Sequence, residues 1–401
     1  MNTKNVEKEI KDTILAIAKD PKNVENYHTL ANLYAIDSKF DNMISTYETL
    51  LQIKPDDVLA LINIGSLWSY KKDYRKSFAY YKKAEELEPL NYTIYYNTGN
   101  IYAELKNFDK ALERYNRALD LNAPEKEIYT AIGQLFGDFK NYVEAEIYYK
   151  KALLFDPNDI TANVGLGNIY THFNIYDKAF ACYKKILDKY PDNKEVLVYI
   201  AKALVLMKKK KEAFDYFEKA LKVEGRNYDV YIDYAIAKGE FKLFKDAIEL
   251  YKKAIEEEPK THTAHLLLGN LYYDMGQFPE AIGAYEKAIK YDYKDSIAHM
   301  SKGNALYMQR DFHAALKSYR EAIRMSPDND EYKLIYLQIL DEFIIDEDNK
   351  IKKKEELKKI HSELFYRRVV GRNPSRFERF YYKIKNLFKI KRKKKEDKNA
   401  K

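Results

Sequence analysis

Residues 92–125 read YTIYYNTGNIYAELKNFDKALERYNRALDLNAPE, and their spacing decides the fold. Tyr95, Thr98, Gly99 and Tyr102 recur at intervals of 3, 1 and 3, which lays them on one stripe of a helix. Asn107 and Phe108 interrupt that pattern. Ala111, Tyr115 and Ala118 then mark a stripe of a second helix at spacings of 4 and 3. The small residues Gly99 and Ala111 predict a close helix–helix approach, with Tyr115 filling the space between this hairpin and its neighbour. The short turn makes the two helices antiparallel.

The same unit recurs along the chain with a period of 34 residues. Prolines 21, 55, 89, 157, 191, 259 and 327 share one phase, seven of the ten in the sequence. This phase predicts Pro at the start of the following helix, where its missing N–H costs nothing. Gly65, Gly99, Gly133, Gly167, Gly269 and Gly303 share a second phase. An aromatic recurs without a miss at Tyr47, Tyr81, Tyr115, Tyr149, Tyr183, Phe217, Tyr251, Tyr285 and Tyr319. The predicted architecture is therefore all-α: a right-handed α-solenoid of nine 34-residue helix-turn-helix repeats with capping helices at both ends. The organisation is an N-terminal helix (1–23), the repeats (24–329, as 24–57, 58–91, 92–125, 126–159, 160–193, 194–227, 228–261, 262–295 and 296–329), a capping helix and acidic junction (330–349), and a basic tail (350–401). Tyr332, Ile335, Tyr336, Ile339 and Phe343 give the capping helix its apolar stripe. One local departure is expected in the seventh repeat, where Lys238 at a core place beside Gly239 predicts a first helix that ends early or bends.

Composition removes several classes. A chain of 401 residues that is 46% hydrophobic is not disordered throughout, and the single Cys182 excludes a disulfide scaffold. The longest apolar runs, such as 14–18, are far shorter than the ~20 residues of a membrane span. Residues 1–10 show no apolar signal-peptide region, so a cytoplasmic location is expected. The charge is split: residues 350–401 hold 21 basic and 6 acidic side chains, net +15, and residues 1–349 hold 49 basic and 56 acidic, net −7.

The repeat pattern resembles the tetratricopeptide repeat. Counted from the first residue of each unit, that family has an aromatic at place 4, Leu-Gly at 7–8, Tyr at 11, Ala at 20, an aromatic at 24, Ala at 27 and Pro at 32. Tyr27, Leu30, Ala31, Tyr34, Met43, Tyr47, Leu50 and Pro55 follow it in the first unit, and His265, Leu268, Gly269, Tyr272, Ala281, Tyr285 and Ala288 in the eighth. The resemblance implies that places 2, 5, 9, 12 and 13 of the first helices line a concave peptide-binding groove. Place 9 carries Asn32, Asn100, Gln134, Asn168, Asn270 and Asn304, amides able to donate to and accept from a peptide backbone. Place 5 is mostly apolar, with Ile62, Tyr96, Val164, Val198, Ile232, Leu266 and Met300. Places 2 and 13 are acidic, with Glu25, Glu104, Glu127, Asp138, Glu195, Asp229, Glu240 and Asp274, against one cation, Lys202. This predicts a basic or neutral peptide partner. It disfavours the carboxylate clamp of chaperone-binding members and, for the body, nucleic acid.

No catalytic constellation, cofactor motif or metal-site motif stands out, so a non-enzymatic scaffold or adaptor for protein–protein interaction is expected. The alternatives are an accessory or regulatory subunit of an enzyme such as a transferase, or a membrane-peripheral assembly factor. His262 and His265 are spaced i, i+3, and His299 follows His265 by one repeat, but place 4 is a packing position. Lys208–Lys211 read as a solvated turn. The tail has its own signature: Phe377, Phe380, Tyr381, Ile384, Leu387 and Phe388 form an apolar stripe among cations and run into Lys391, Arg392 and Lys393. Such a basic amphipathic helix suits an anionic membrane, a partner's groove, self-association or the chain's own groove.

Overall fold

The computed structural model describes residues 3–342, which divide into two compact units between Gly225 and Arg226. In the first, α1 (Thr3–Lys19) precedes six helix pairs. These are α2 (Val24–Ile36) with α3 (Phe40–Ile53), α4 (Val58–Tyr70) with α5 (Tyr74–Leu87), α6 (Tyr92–Glu104) with α7 (Phe108–Asp120), α8 (Glu125–Asp138) with α9 (Tyr142–Phe155), α10 (Ile160–His172) with α11 (Tyr176–Lys189), and α12 (Lys194–Leu206) with α13 (Lys210–Lys222). The second unit has three pairs: α14 (Tyr228–Glu240) with α15 (Phe244–Glu257), α16 (His262–Asp274) with α17 (Phe278–Tyr291), and α18 (Ser296–Met308) with α19 (Phe312–Met325). The helix α20 (Asp330–Glu342) follows them. No strand occurs among the described residues, and the fold is an all-α helical-repeat solenoid.

The two helices of a pair are not equivalent. On α6, Ile94, Tyr95, Thr98, Gly99 and Ile101 are buried, whereas α7 buries only Ala111, Tyr115 and Ala118. The cause is placement: α6 touches α4, α5, α7 and α8, so it is covered on several sides. Each fully buried aliphatic such as Ile94 contributes ~2 kcal/mol relative to exposure. Place 10, held by Leu33, Leu67, Ile101, Leu135, Ile169, Ala203, Ala237, Leu271 and Ala305, is buried in all nine repeats. Sequence reading passed over this place, although it stands three residues beyond the core place 7.

The tyrosine at place 24 explains the glycine at place 8. A Cβ added to Gly99 would lie 2.7 Å from the Tyr115 ring, and one added to Gly167 would lie 2.2 Å from Tyr183. The ring occupies the volume that any side chain there would need.

Turn chemistry corrects two expectations. The periodic prolines do not open helices. Helix α3 ends at Ile53, Pro55 follows the C-cap Lys54, and α4 begins at Val58 after the N-cap Asp57. Proline there stops the preceding helix. The N-cap falls two residues after this place, which before the last repeat holds Tyr293 instead of Pro: Asn23, Asp57, Asn91, Asp159, Asn193 and Asp295 each accept from first-turn backbone N–H groups. The proline carbonyl has a use of its own. It accepts from the place-4 side chain, as in Tyr27 Oη to Pro21 O (3.1 Å), Tyr95 Oη to Pro89 O (2.9 Å) and Asn163 Nδ2 to Pro157 O (2.9 Å).

The second correction is α14, which runs its full 13 residues through Lys238. The ammonium reaches Asp246 at 3.0 Å and stands 5.1 Å from the Tyr234 ring centroid, so its charge is met by a carboxylate and an aromatic face. Within every pair the turn is made by a left-handed residue at place 15: Ser38, Lys72, Lys106, Lys140, Asn174, Lys208, Lys242, Gly276 and Arg310. The backbone closes over it, as Asn107 N donates to Tyr102 O at 2.9 Å.

The end helices pack as expected. Val6 and Ile10 of α1 cluster with Leu30 and Leu33. Tyr336, Ile339 and Leu340 of α20 pack with Ala315 and Tyr319, while Phe343 lies outside the described residues.

Candidate functional site

The place-9 amides are fixed from behind. Tyr115 Oη donates to Asn100 Oδ1 (2.8 Å), Tyr183 to Asn168 (2.8 Å), Tyr285 to Asn270 (2.9 Å) and Tyr319 to Asn304 (2.9 Å). Burial pushes these phenols up, Tyr183 to about 12, so they remain protonated donors. The tyrosine thus occupies one acceptor site of each amide oxygen and fixes which way the amide points. The carbonyl is engaged once, and both Nδ2 hydrogens remain to donate. Asn32 is exposed on α2 without this bond, and Tyr47 accepts from Asn63 Nδ2 of the next repeat at 2.9 Å.

The next repeat's place 6 covers the same ring edge. Asn63 donates to Tyr47, Asn97 donates at 3.4 Å to Ser66, which pairs with Tyr81, and Tyr199 stacks on Tyr183 with centroids 5.5 Å apart. These residues carried no signal within a single repeat, since their role appears only between repeats.

The acidic stripe is partly neutralised. Lys72 donates to Glu104 at 2.7 Å and Tyr74 donates to the same oxygen at 2.6 Å, which together hold that carboxyl below its usual range. Lys106 reaches Asp138 at 3.0 Å. Both lysines are left-handed turn residues, aimed at place 13 of the following repeat. A count of charges along the first helices alone misses them. Glu240 and Asp274 are exposed at the ends of α14 and α16. The apolar place-5 residues also need correction. Ile62, Val198, Ile232 and Met300 are buried in the core, while Tyr96 is half-buried, with its ring centroid 6.2 Å from that of Tyr115.

Repeat 126–159 breaks the pattern. Gln134 replaces Asn at place 9, Gly137 stands at place 12, and Gly165 occupies place 6 of the next repeat. Tyr149 is only 5% exposed, and its hydroxyl has no hydrogen-bond partner among the described residues. A cavity of about 480 Å³ opens there, lined by Gln134, Asp138, Tyr149, Gly165, Asn168 and Glu195 among others.

The histidines take separate places. His265 is buried, its ring centroid 5.7 Å from that of Tyr291, and burial lowers its pKa. His299 Nε2 donates to Tyr293 O at 2.9 Å. Among the described residues no group of three His, Cys, Asp or Glu is placed to hold a metal ion. Cys182 is buried, and burial raises its thiol pKa, which makes it a poor nucleophile. The tail residues Phe377, Phe380, Tyr381, Ile384, Leu387, Phe388, Lys391, Arg392 and Lys393 lie outside the described residues.

Family models described as tetratricopeptide repeat match residues 24–57, 92–123, 126–159, 161–193, 195–227 and 266–330, together more than half of the chain. The chain belongs to the tetratricopeptide repeat family. Its repeats form the kind of scaffold typical of protein–protein interaction. The unmatched intervals around α4–α5 and α14–α15 still carry tetratricopeptide-type helix pairs. A tetratricopeptide repeat protein from Parabacteroides merdae ATCC 43184 aligns with TM-score 0.51 at 19% identity, over 62% of this chain and 98% of its own. Yeast Tom70 aligns with TM-score 0.54 at 16% identity, over 88% of this chain and 96% of its own. At such identities the likeness is one of fold alone. No curated protein matches the sequence. No described helix is long and apolar enough to cross a membrane.

Proposed function

We propose that this tetratricopeptide repeat protein is a non-enzymatic scaffold or adaptor that binds a peptide segment along the place-9 face of its first helices. The observation that carries the reading is the row of oriented amides. Asn100 and Asn168 in one unit, and Asn270 and Asn304 in the other, each have Oδ1 held by a tyrosine, which leaves Nδ2 to donate. Donors at a regular interval suit the carbonyls of an extended peptide, and pre-fixed side chains lose little freedom on binding. The partner is neutral or basic. Lysines offset Glu104 and Asp138, whereas Glu195 forms no ion pair among the described residues.

A peptide array probed with the full chain tests this reading. Capture of neutral and basic peptides is expected, and preferential capture of acidic ones would overturn the charge preference. Turnover by the purified protein in a broad substrate screen would overturn the non-enzymatic assignment.

A further inference from the structure

We infer that the cavity lined by repeats 126–159, 160–193 and 194–227 is an anchor pocket for one arginine residue of the bound peptide. Its backbone carbonyl would be held by Tyr149 and Asn168, and its guanidinium by Glu195. The inference deepens the peptide-binding reading and rests on it.

Three features of the tyrosine pattern fail together around Tyr149. Where other repeats place an Asn to accept from the tyrosine hydroxyl, Gln134 does not engage it. At the place where Asn63 bonds the tyrosine hydroxyl, Gly165 brings no polar side chain; its backbone packs directly on the ring, and a Cβ there would lie 2.3 Å from Tyr149 Cζ. At place 12, Thr171 approaches Tyr183 Oη at 3.5 Å in the next repeat, but Gly137 leaves Tyr149 open. The result is a donor on a residue more than nine-tenths buried, facing a cavity large enough for a side chain.

In every repeat with the Asn–Tyr bond, that hydroxyl donates to an amide carbonyl. A peptide carbonyl is the same acceptor supplied from outside. Asn168 adds a second donor to the same cavity, because its Oδ1 is taken by Tyr183 and its Nδ2 has no partner among the described residues. A carboxylate ligand would satisfy these donors but would meet Asp138 and Glu195 in the same lining. Lys106 already pairs with Asp138. Glu195 therefore supplies the unneutralised charge, and the Tyr142 and Tyr199 rings flank the space. A planar cation that binds a carboxylate in a fork and stacks on aromatic faces fits this set, which favours arginine over lysine.

The test uses full-length protein and two acetylated, amidated Gly-Ser peptides that differ only in a central arginine or citrulline, titrated calorimetrically. The arginine peptide is expected to bind about tenfold more tightly. Glu195→Gln should abolish that preference while leaving citrulline binding in place. Gln134→Asn restores the acceptor found in neighbouring repeats. It should weaken both peptides about fivefold, with helical circular dichroism unchanged. Equal binding of the two peptides, no detectable binding of the arginine peptide, a preference that survives Glu195→Gln, or affinities untouched by Gln134→Asn would each overturn the inference. If arrayed peptides still bind in those cases, the scaffold reading stands without this pocket. If no arrayed peptide binds, both readings fall.

Discussion

Tyr115 and Tyr149 hold the same place in consecutive repeats, stand over the equivalent glycines Gly99 and Gly133, and are almost wholly buried. Their hydroxyls differ. Tyr115 donates to Asn100, whereas Tyr149 has no partner among the described residues and borders a cavity. The packing role of the ring and the polar role of its hydroxyl are thus separable. The ring is needed for stacking repeats, while the hydroxyl follows whatever stands at places 6, 9 and 12.

The largest expected effect breaks what the two repeats share. Tyr115→Ala or Tyr149→Ala empties a ring-sized volume over a glycine and should cost ~3–5 kcal/mol in denaturant unfolding. Equal, small losses at both positions would refute the ring's role. Alkaline pH comes next. Burial pushes Tyr149 up to about 12 from the ordinary 10.0. Because the folded pKa is raised, its contribution is complete below pH 10.0 and is lost as pH climbs towards about 12. The loss is on the order of 2 kcal/mol for this phenol alone. Phenolate absorbance should therefore rise together with loss of helical circular dichroism, and full ionisation with the helices intact would contradict it.

Subtler changes sharpen the contrast. Tyr115→Phe orphans Asn100 Oδ1 and should cost ~1 kcal/mol, whereas Tyr149→Phe should cost close to nothing. Parallel denaturant curves for the two variants decide this, and equal losses would mean that the Tyr149 hydroxyl is satisfied after all. The smallest effect belongs to the exposed pair Lys106–Asp138, where Lys106→Ala should cost ~0.5 kcal/mol or less and the loss should shrink in high salt.

Several functional residues were legible in the sequence, but their state was not. The place-9 asparagines stand out by period alone, yet the Tyr115–Asn100 bond joins residues 15 apart on two helices. Acid counts along the first helices predicted a strongly negative face. The lysines that offset it stand in turns, and a left-handed backbone aims them at the next repeat. Lys238 predicted that α14 would end early or bend, but the helix runs through it because a long side chain can deliver its charge to Asp246.

The sequence by itself determined the repeat length, the helix pairs and the family, because strict 34-residue spacing of Gly, Ala, Tyr and Pro leaves one periodic solution. Local chemistry also fixed the ends of helices, although the caps Asp57 and Asn91 had to be seen to place them two residues after the prolines. Only the tertiary structure decided which polar atoms remain for a partner. Whether Asn100 and Asn168 accept, and whether Tyr149 is capped, depends on side chains from two helices or two repeats meeting within hydrogen-bond distance. Periodicity specifies which places face one another. It does not specify whether the residues standing there satisfy each other, and Gln134 and Gly165 leave the Tyr149 hydroxyl without a partner.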